Sequence, residues 1–169
     1  MYSSNMEETN FYTDIKESVE EVFSFLQSDF LFSVFVERQI AYEIHFETKN
    51  NFVNVDIWFE ATVATPIWIK INEFYVDNLE PNNNVIQNYS KKLGELYEPL
   101  NENSDIVFFE FGLSQYRKYG KKLNLVYLTE IASMLKRHSS VLQDDFDLLK
   151  TNTKLIIENN KKAEDKKTN

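Results

Sequence analysis

The chain contains no cysteine, so neither a disulfide framework nor a thiolate metal site can be built from it. Three glycines and three prolines in 169 residues argue against a loop-rich fold, and no glycine-rich turn is present to cradle a phosphate. Two histidines leave little from which to assemble a nucleophile triad. No apolar run approaches the ~20 residues that a membrane helix needs. The first residues are polar and acidic, without the cationic, apolar and small-residue zones of a secretory signal. The absences predict a soluble, cytoplasmic protein with no cofactor, no membrane contact and no catalytic motif.

What is abundant is apolar and aromatic surface. The composition is 43% hydrophobic and 15% aromatic, with 14 Phe and 9 Tyr, too apolar for a disordered chain. Length predicts one domain with a proper core. Charge is unevenly spread: residues 1–80 carry 15 acidic and 4 basic residues, a net of −11, and residues 81–169 a net of +2. Phosphate repulsion opposes nucleic-acid binding by the acidic half. A basic protein partner is attracted to it.

The clearest pattern is a β-meander. Tyr42, Ile44 and Phe46 alternate with Glu43, His45 and Glu47. Val53, Val55, Ile57 and Phe59 alternate with Asn54, Asp56, Trp58 and Glu60, and Ile67, Ile69 and Ile71 with Trp68, Lys70 and Asn72. Period-two alternation over three successive runs marks strands with one buried face. A two-residue turn at Asn50-Asn51 sets His45 opposite Asp56 and Ile44 opposite Ile57. The most consistent pairing beyond it sets Trp58 beside Trp68 and Asp56 beside Lys70. Phe30–Glu37 reads as a further strand, either buried on both faces or partly covered by a later element, turning at Arg38-Gln39.

Helices flank this sheet. Residues 1–12 lack any period and read as loose. A helix is expected from Asp14, whose spacing to Glu17 suits a capping box, with Ile15, Val19, Val22, Phe23 and Leu26 on one stripe. Residues 73–84 read as a connection, followed by helices over Val85–Leu96, over Lys121–His138, and after a cap at Asp144 or Asp145. Ile106–Phe111 is ambiguous between strand and helical turn. The expected organisation is therefore one α+β domain over 1–169: a loose 1–12, a helix and antiparallel sheet of about four strands over 13–80, a mainly helical layer over 81–160, and a frayed charged tail over 161–169.

Candidate sites follow from the sheet. Glu43, His45 and Glu47 share one strand face with Asp56 across the hairpin, a donor set of the kind that binds zinc, manganese or iron. Lys70 beside Asp56 repels a cation, so no metal is expected and the alternative is a solvated polar face. Carboxylate pairs such as Glu43 with Glu47 are too common in so acidic a chain to indicate acid–base catalysis. Asp144-Asp145-Phe146-Asp147 lacks the glycine and terminal Glu of a calcium loop. Trp58 and Trp68 face away from the apolar side, rimmed by Glu43, Asp56 and Glu60. They form either an open anchor-and-rim binding surface or a second core face covered by the C-terminal helices.

Two groups of segments carry a resemblance. One runs from Phe23-Ser24-Phe25-Leu26 through Ala41-Tyr42-Glu43-Ile44 to Val55-Asp56-Ile57-Trp58-Phe59. The other is Ala132-Ser133-Met134-Leu135-Lys136 with Val141-Leu142-Gln143-Asp144-Asp145-Phe146. Together they resemble small bacterial α+β proteins, some similar to immunity proteins that neutralise a toxin by binding it. The resemblance implies no catalytic or binding residue. The leading expectation is a non-enzymatic protein of the immunity or antitoxin type that occludes a basic partner. The alternatives are an accessory or scaffolding module acting by oligomerisation and, third, a hydrolase or metal-dependent enzyme.

Overall fold

The computed structural model describes residues 4–40, 43–60, 67–83, 85, 88, 89, 91 and 121–167, without the side chains of residues 4–12, 60 and 121. Helix α1 spans Ser4–Val22. The residues expected to be loose are therefore helical from Ser4 onward, and Asp14 lies inside the helix instead of capping it. Acidic residues near a helix start, as Glu7 and Glu8 are in the sequence, suit the helix dipole. The apolar stripe is as expected, with Ile15, Val19, Phe23 and Leu26 all buried. The helix breaks at Phe23, and α2 continues from Ser24 to Phe30.

The strand expected over residues 30–37 is not formed. Phe30 closes α2, and Leu31 takes the left-handed conformation that ends it, with φ 59°. Strand β1 is Val36–Ile40, so Arg38 and Gln39 lie within a strand and not in a turn. The apolar residues before it serve different ends, since Phe32 is buried while Leu31 is 84% exposed. Ser33 ties this crossing to the sheet: its N–H donates to Lys49 O at 2.8 Å, and its carbonyl accepts from Thr48 Oγ1 at 2.6 Å.

Strands β2 (Glu43–Lys49), β3 (Asn54–Glu60), β4 (Ile67–Ile71) and β5 (Phe74–Tyr75) follow. They form an antiparallel five-stranded sheet in the order β1-β2-β3-β4-β5, one strand more than expected. The extra strand arises because Asn72 takes a φ of 51° in a two-residue turn, so Phe74 pairs with Ile71 inside the supposed connection. A 3-10 turn over Val76–Leu79 comes next. The β3–β4 register is the expected one, with Trp58 opposite Trp68, Asp56 opposite Lys70 and Ile57 opposite Ile69.

The β2–β3 register differs by two residues. His45 lies opposite Trp58, not Asp56, and Ile44 opposite Phe59, not Ile57. The loop is longer than two residues because Asn50 builds it: its Oδ1 accepts from Phe52 N at 2.8 Å and Val53 N at 2.9 Å. A shift of two preserves which residues share a face, so the buried set is unchanged. Ile44, Phe46, Val55, Ile57, Phe59, Ile67, Ile69 and Ile71 are all buried on one side.

Helix α3 spans Lys121–Arg137, close to the expected element, and a 3-10 turn over Ser139–Gln143 interrupts the chain at the serines. Helix α4 spans Asp147–Lys167, and Asp147 N donates to Asp145 Oδ1 at 3.3 Å near its start. It carries on through most of the tail expected to fray. Leu128, Ile131, Met134 and Leu135 of α3 join the inner sheet face in a common core with Val19, Phe23 and Leu26. The architecture is thus α+β, with an N-terminal helix and C-terminal helices beside an antiparallel sheet. Of the helix expected over Val85–Leu96, Val85, Asn88, Tyr89 and Lys91 are helical. The remainder of it, the Ile106–Phe111 reading and the connection Ala61–Thr65 lie outside the described residues.

Glu80 clasps the end of α3. Arg137 donates to both its oxygens at 2.9 Å, and His138 Nε2 lies 2.9 Å from Oε1. The Arg137 hydrogen bonds hold the Glu80 carboxyl down at about 2, with Asn83 and His138 adding to them. Because the folded value lies below the unfolded one, this clasp contributes fully above about pH 4.5 and is lost as pH falls through about 2. Glu80→Gln is expected to cost about 1 kcal/mol at pH 7, as a partly solvated charged cluster does. In urea titrations the gap to the parent protein should close between those two pH values. A gap constant from pH 7 to pH 2 would rule the clasp out as a source of acid sensitivity.

Candidate functional site on the outward sheet face

The face turned away from the core is ordered by the registers into rows across the strands. The central row is Arg38, His45, Trp58 and Trp68, each directly opposite the next. His45 stacks on Trp58 with centroids 5.5 Å apart and planes 15° apart. Trp58 stacks on Trp68 at 6.2 Å and 19°. Tyr75 of β5 completes the cluster, 5.8 Å from Trp68 and 6.5 Å from Trp58. The Lys70 ammonium lies 4.5 Å from the Tyr75 ring centre and 5.5 Å from that of Trp58.

Acidic pairs flank this row on both sides. Glu47 is directly opposite Asp56, and Glu43 directly opposite Glu60. Like charges facing each other across a ladder are destabilising, so two such pairs on one face are costly unless offset. The offset comes from the central row. Glu47 pairs with Arg38, His45 Nδ1 lies 3.0 and 3.1 Å from the Asp56 oxygens, and His45 Nε2 lies 2.9 Å from Glu43 Oε2. Burial pushes the Asp56 carboxyl up; the His45 bond opposes this and the Glu47 charge adds to it.

His45 is the deepest polar group here, 7% exposed. Trp58 and Trp68 are half-buried, which is neither of the two extremes the sequence left open. Among the described residues, the rings they meet belong to the sheet itself. The site residues expected from sequence, Trp58, Trp68, Glu43, Asp56 and Glu60, thus fall on one face; of Glu60 the structure describes only the backbone. Sequence reasoning missed Tyr75 and Arg38 by assigning them to a connection and a turn. The signal for Tyr75 was present in Asn72-Glu73, a turn pair between Ile71 and Phe74.

One ligand atom each from His45, Glu47 and Asp56 lie within 4.8 Å of one another, the spacing of a cation site. Arg38 already holds Glu47, and His45 already engages Asp56, so an ion there must displace both contacts. Among the described residues, no helix is long and apolar enough to cross a membrane. No protein-family model, curated protein or solved structure matches the chain.

Proposed function

We propose that the chain is a non-enzymatic binding protein that captures a basic protein on the outward face of its sheet, in the manner of immunity or antitoxin proteins. The observation that carries this reading is the row of stacked indoles flanked by Glu47 and Asp56 on one side and by Glu43 on the other. Arg38 and His45 engage Glu47, Asp56 and Glu43 from within the sheet, and added positive charge on this face is favoured by the acidity that remains. Aromatic rings held in a row supply anchors whose ordering entropy has already been lost on folding. A chain with a net charge of −9 also draws a cationic partner from a distance.

Capture from the source cell, followed by titration of the purified partner, tests the reading. The captured protein should be basic, and Trp58→Ala should weaken binding by about 2 kcal/mol or more, mainly through faster dissociation. Reversing Glu43 and Glu60 to Lys should chiefly slow association, less so as salt rises. A partner indifferent to all three changes binds elsewhere. A second reading, scaffolding by self-association, draws on β1. This edge strand is exposed at all five positions, with Val36 59% exposed, and an uncovered edge can pair with a second copy. A concentration-independent monomer in sedimentation would remove it.

A further inference from the structure

We infer that the corner enclosed by Trp58, Trp68 and Tyr75 is a receptor for one organic cation, an arginine or lysine side chain of the basic partner, and that Lys70 fills it until the partner arrives. The inference rests on the proposed capture of a basic protein and assigns the point at which the partner is held. Aromatic faces attract ammonium and guanidinium groups within about 6 Å of the ring centre, most strongly when water is excluded. Two rings of the corner already meet that condition for the Lys70 ammonium, at 4.5 and 5.5 Å. The Tyr75 ring is tilted 44° to Trp58 and 55° to Trp68, so the three rings meet at an angle and do not form a flat stack.

The choice Lys70 makes is informative. Asp56 lies directly across the ladder from it, yet the Asp56 carboxylate bonds His45 and the Lys70 ammonium rests over the rings. A cation placed across the ladder from a carboxylate thus rests on the aromatic corner, the arrangement expected if the rings attract positive charge. Displacement needs no change of fold. Lys70 sits on a four-carbon stem from a strand whose backbone stays in place, and Asp56 is there to receive its ammonium. An incoming guanidinium has the further advantage of a planar group that stacks on rings.

The only two tryptophans of the chain line this corner, so tryptophan fluorescence, excited beyond the tyrosine band, reports on it. The probe is N-acetyl-arginine amide, with N-acetyl-citrulline amide as the uncharged control. Lys70→Met should bind the arginine probe about tenfold more tightly than the parent chain, since the tethered competitor is gone. Lys70→Arg should restore the parent affinity, and Tyr75→Leu added to Lys70→Met should remove the gain. If Lys70→Met melts early, Lys70→Gln replaces it with the same expectation. Equal affinity for the parent and the Lys70→Met or Lys70→Gln chain overturns the inference, as does a citrulline probe that binds as well as arginine. Capture that depends on Trp58 but ignores Lys70→Met would sink the receptor and spare the binding surface. Probe binding as described with no basic partner captured would do the reverse.

Discussion

Ile57→Ala is expected to cost ~2–5 kcal/mol of folding stability, the range for truncating a buried aliphatic side chain. Ile57 is 0% exposed and sits on β3, the middle strand of five. Phe46 lies directly opposite it on β2 and Ile69 directly opposite on β4, both buried. Two methyls and a methylene are removed where neighbours on two strands are fixed by ladder hydrogen bonds, so the cavity has little room to collapse. A typical domain has about 5–15 kcal/mol in total, so the variant stands near the edge of folding at 37 °C. Urea unfolding with an unchanged slope would show the loss as a shift of midpoint alone. A loss below ~1 kcal/mol would mean that the meander's inner face is not the core.

The inner face was legible because its signal is redundant. Eight apolar residues at period two over three strands fix which side of the sheet is buried at any register of the same parity. The same redundancy made α3 readable, where Leu125, Leu128, Ala132 and Leu135 recur at helical spacing and all but Leu125 are buried. Legibility failed where one residue serves two roles. Phe30 and Phe32 read as alternating strand residues, but Phe30 ends a helix and Phe32 caps the core from an irregular segment. Hydrophobicity alone does not separate those uses. Residues 4–12 failed for the opposite reason: a polar helix end carries no apolar period, so only capping and dipole arguments reveal it.

The site was half legible for a related reason. Face assignment depends only on parity, and parity survives a register error of two, so Trp58, Trp68, Glu43 and Asp56 were placed together correctly. Which residue touches which depends on the register itself. The expected register put His45 against Asp56 and left the indoles to each other; the observed one stacks His45 on Trp58 and turns its two nitrogens to carboxylates on two strands. The acidic rim is therefore partly neutralised from within. Lys70, read as the counter-charge of Asp56, instead lies over the rings, a choice that side-chain spacing does not encode.

Asn50→Ala is expected to cost about 2–6 kcal/mol, a large effect for a residue in a hairpin loop. Its amide group is fully used. Nδ2 donates to Phe30 O at 3.2 Å and Leu142 O at 3.0 Å, while Oδ1 accepts from Phe52 N and Val53 N. One side chain thus joins the hairpin to the end of α2 and to the 3-10 turn after α3, segments far apart in sequence. Four hydrogen bonds at about 0.5–1.5 kcal/mol each set the estimate, because alanine leaves partly buried partners unsatisfied. Asn50→Asp separates the two halves of the role. It keeps the acceptor that shapes the loop but sets a negative charge against two carbonyl oxygens, so at neutral pH it should be at least as destabilising as alanine. The loop bonds also decide the register, since a slip of two residues would bury the same face and hydrophobic burial alone does not oppose it. Amide exchange across β2 and β3 should accordingly quicken in Asn50→Ala more than exchange in α3. Uniform quickening of both elements, or a stability loss under 1 kcal/mol, would show that the hairpin is held by its ladder and not by Asn50.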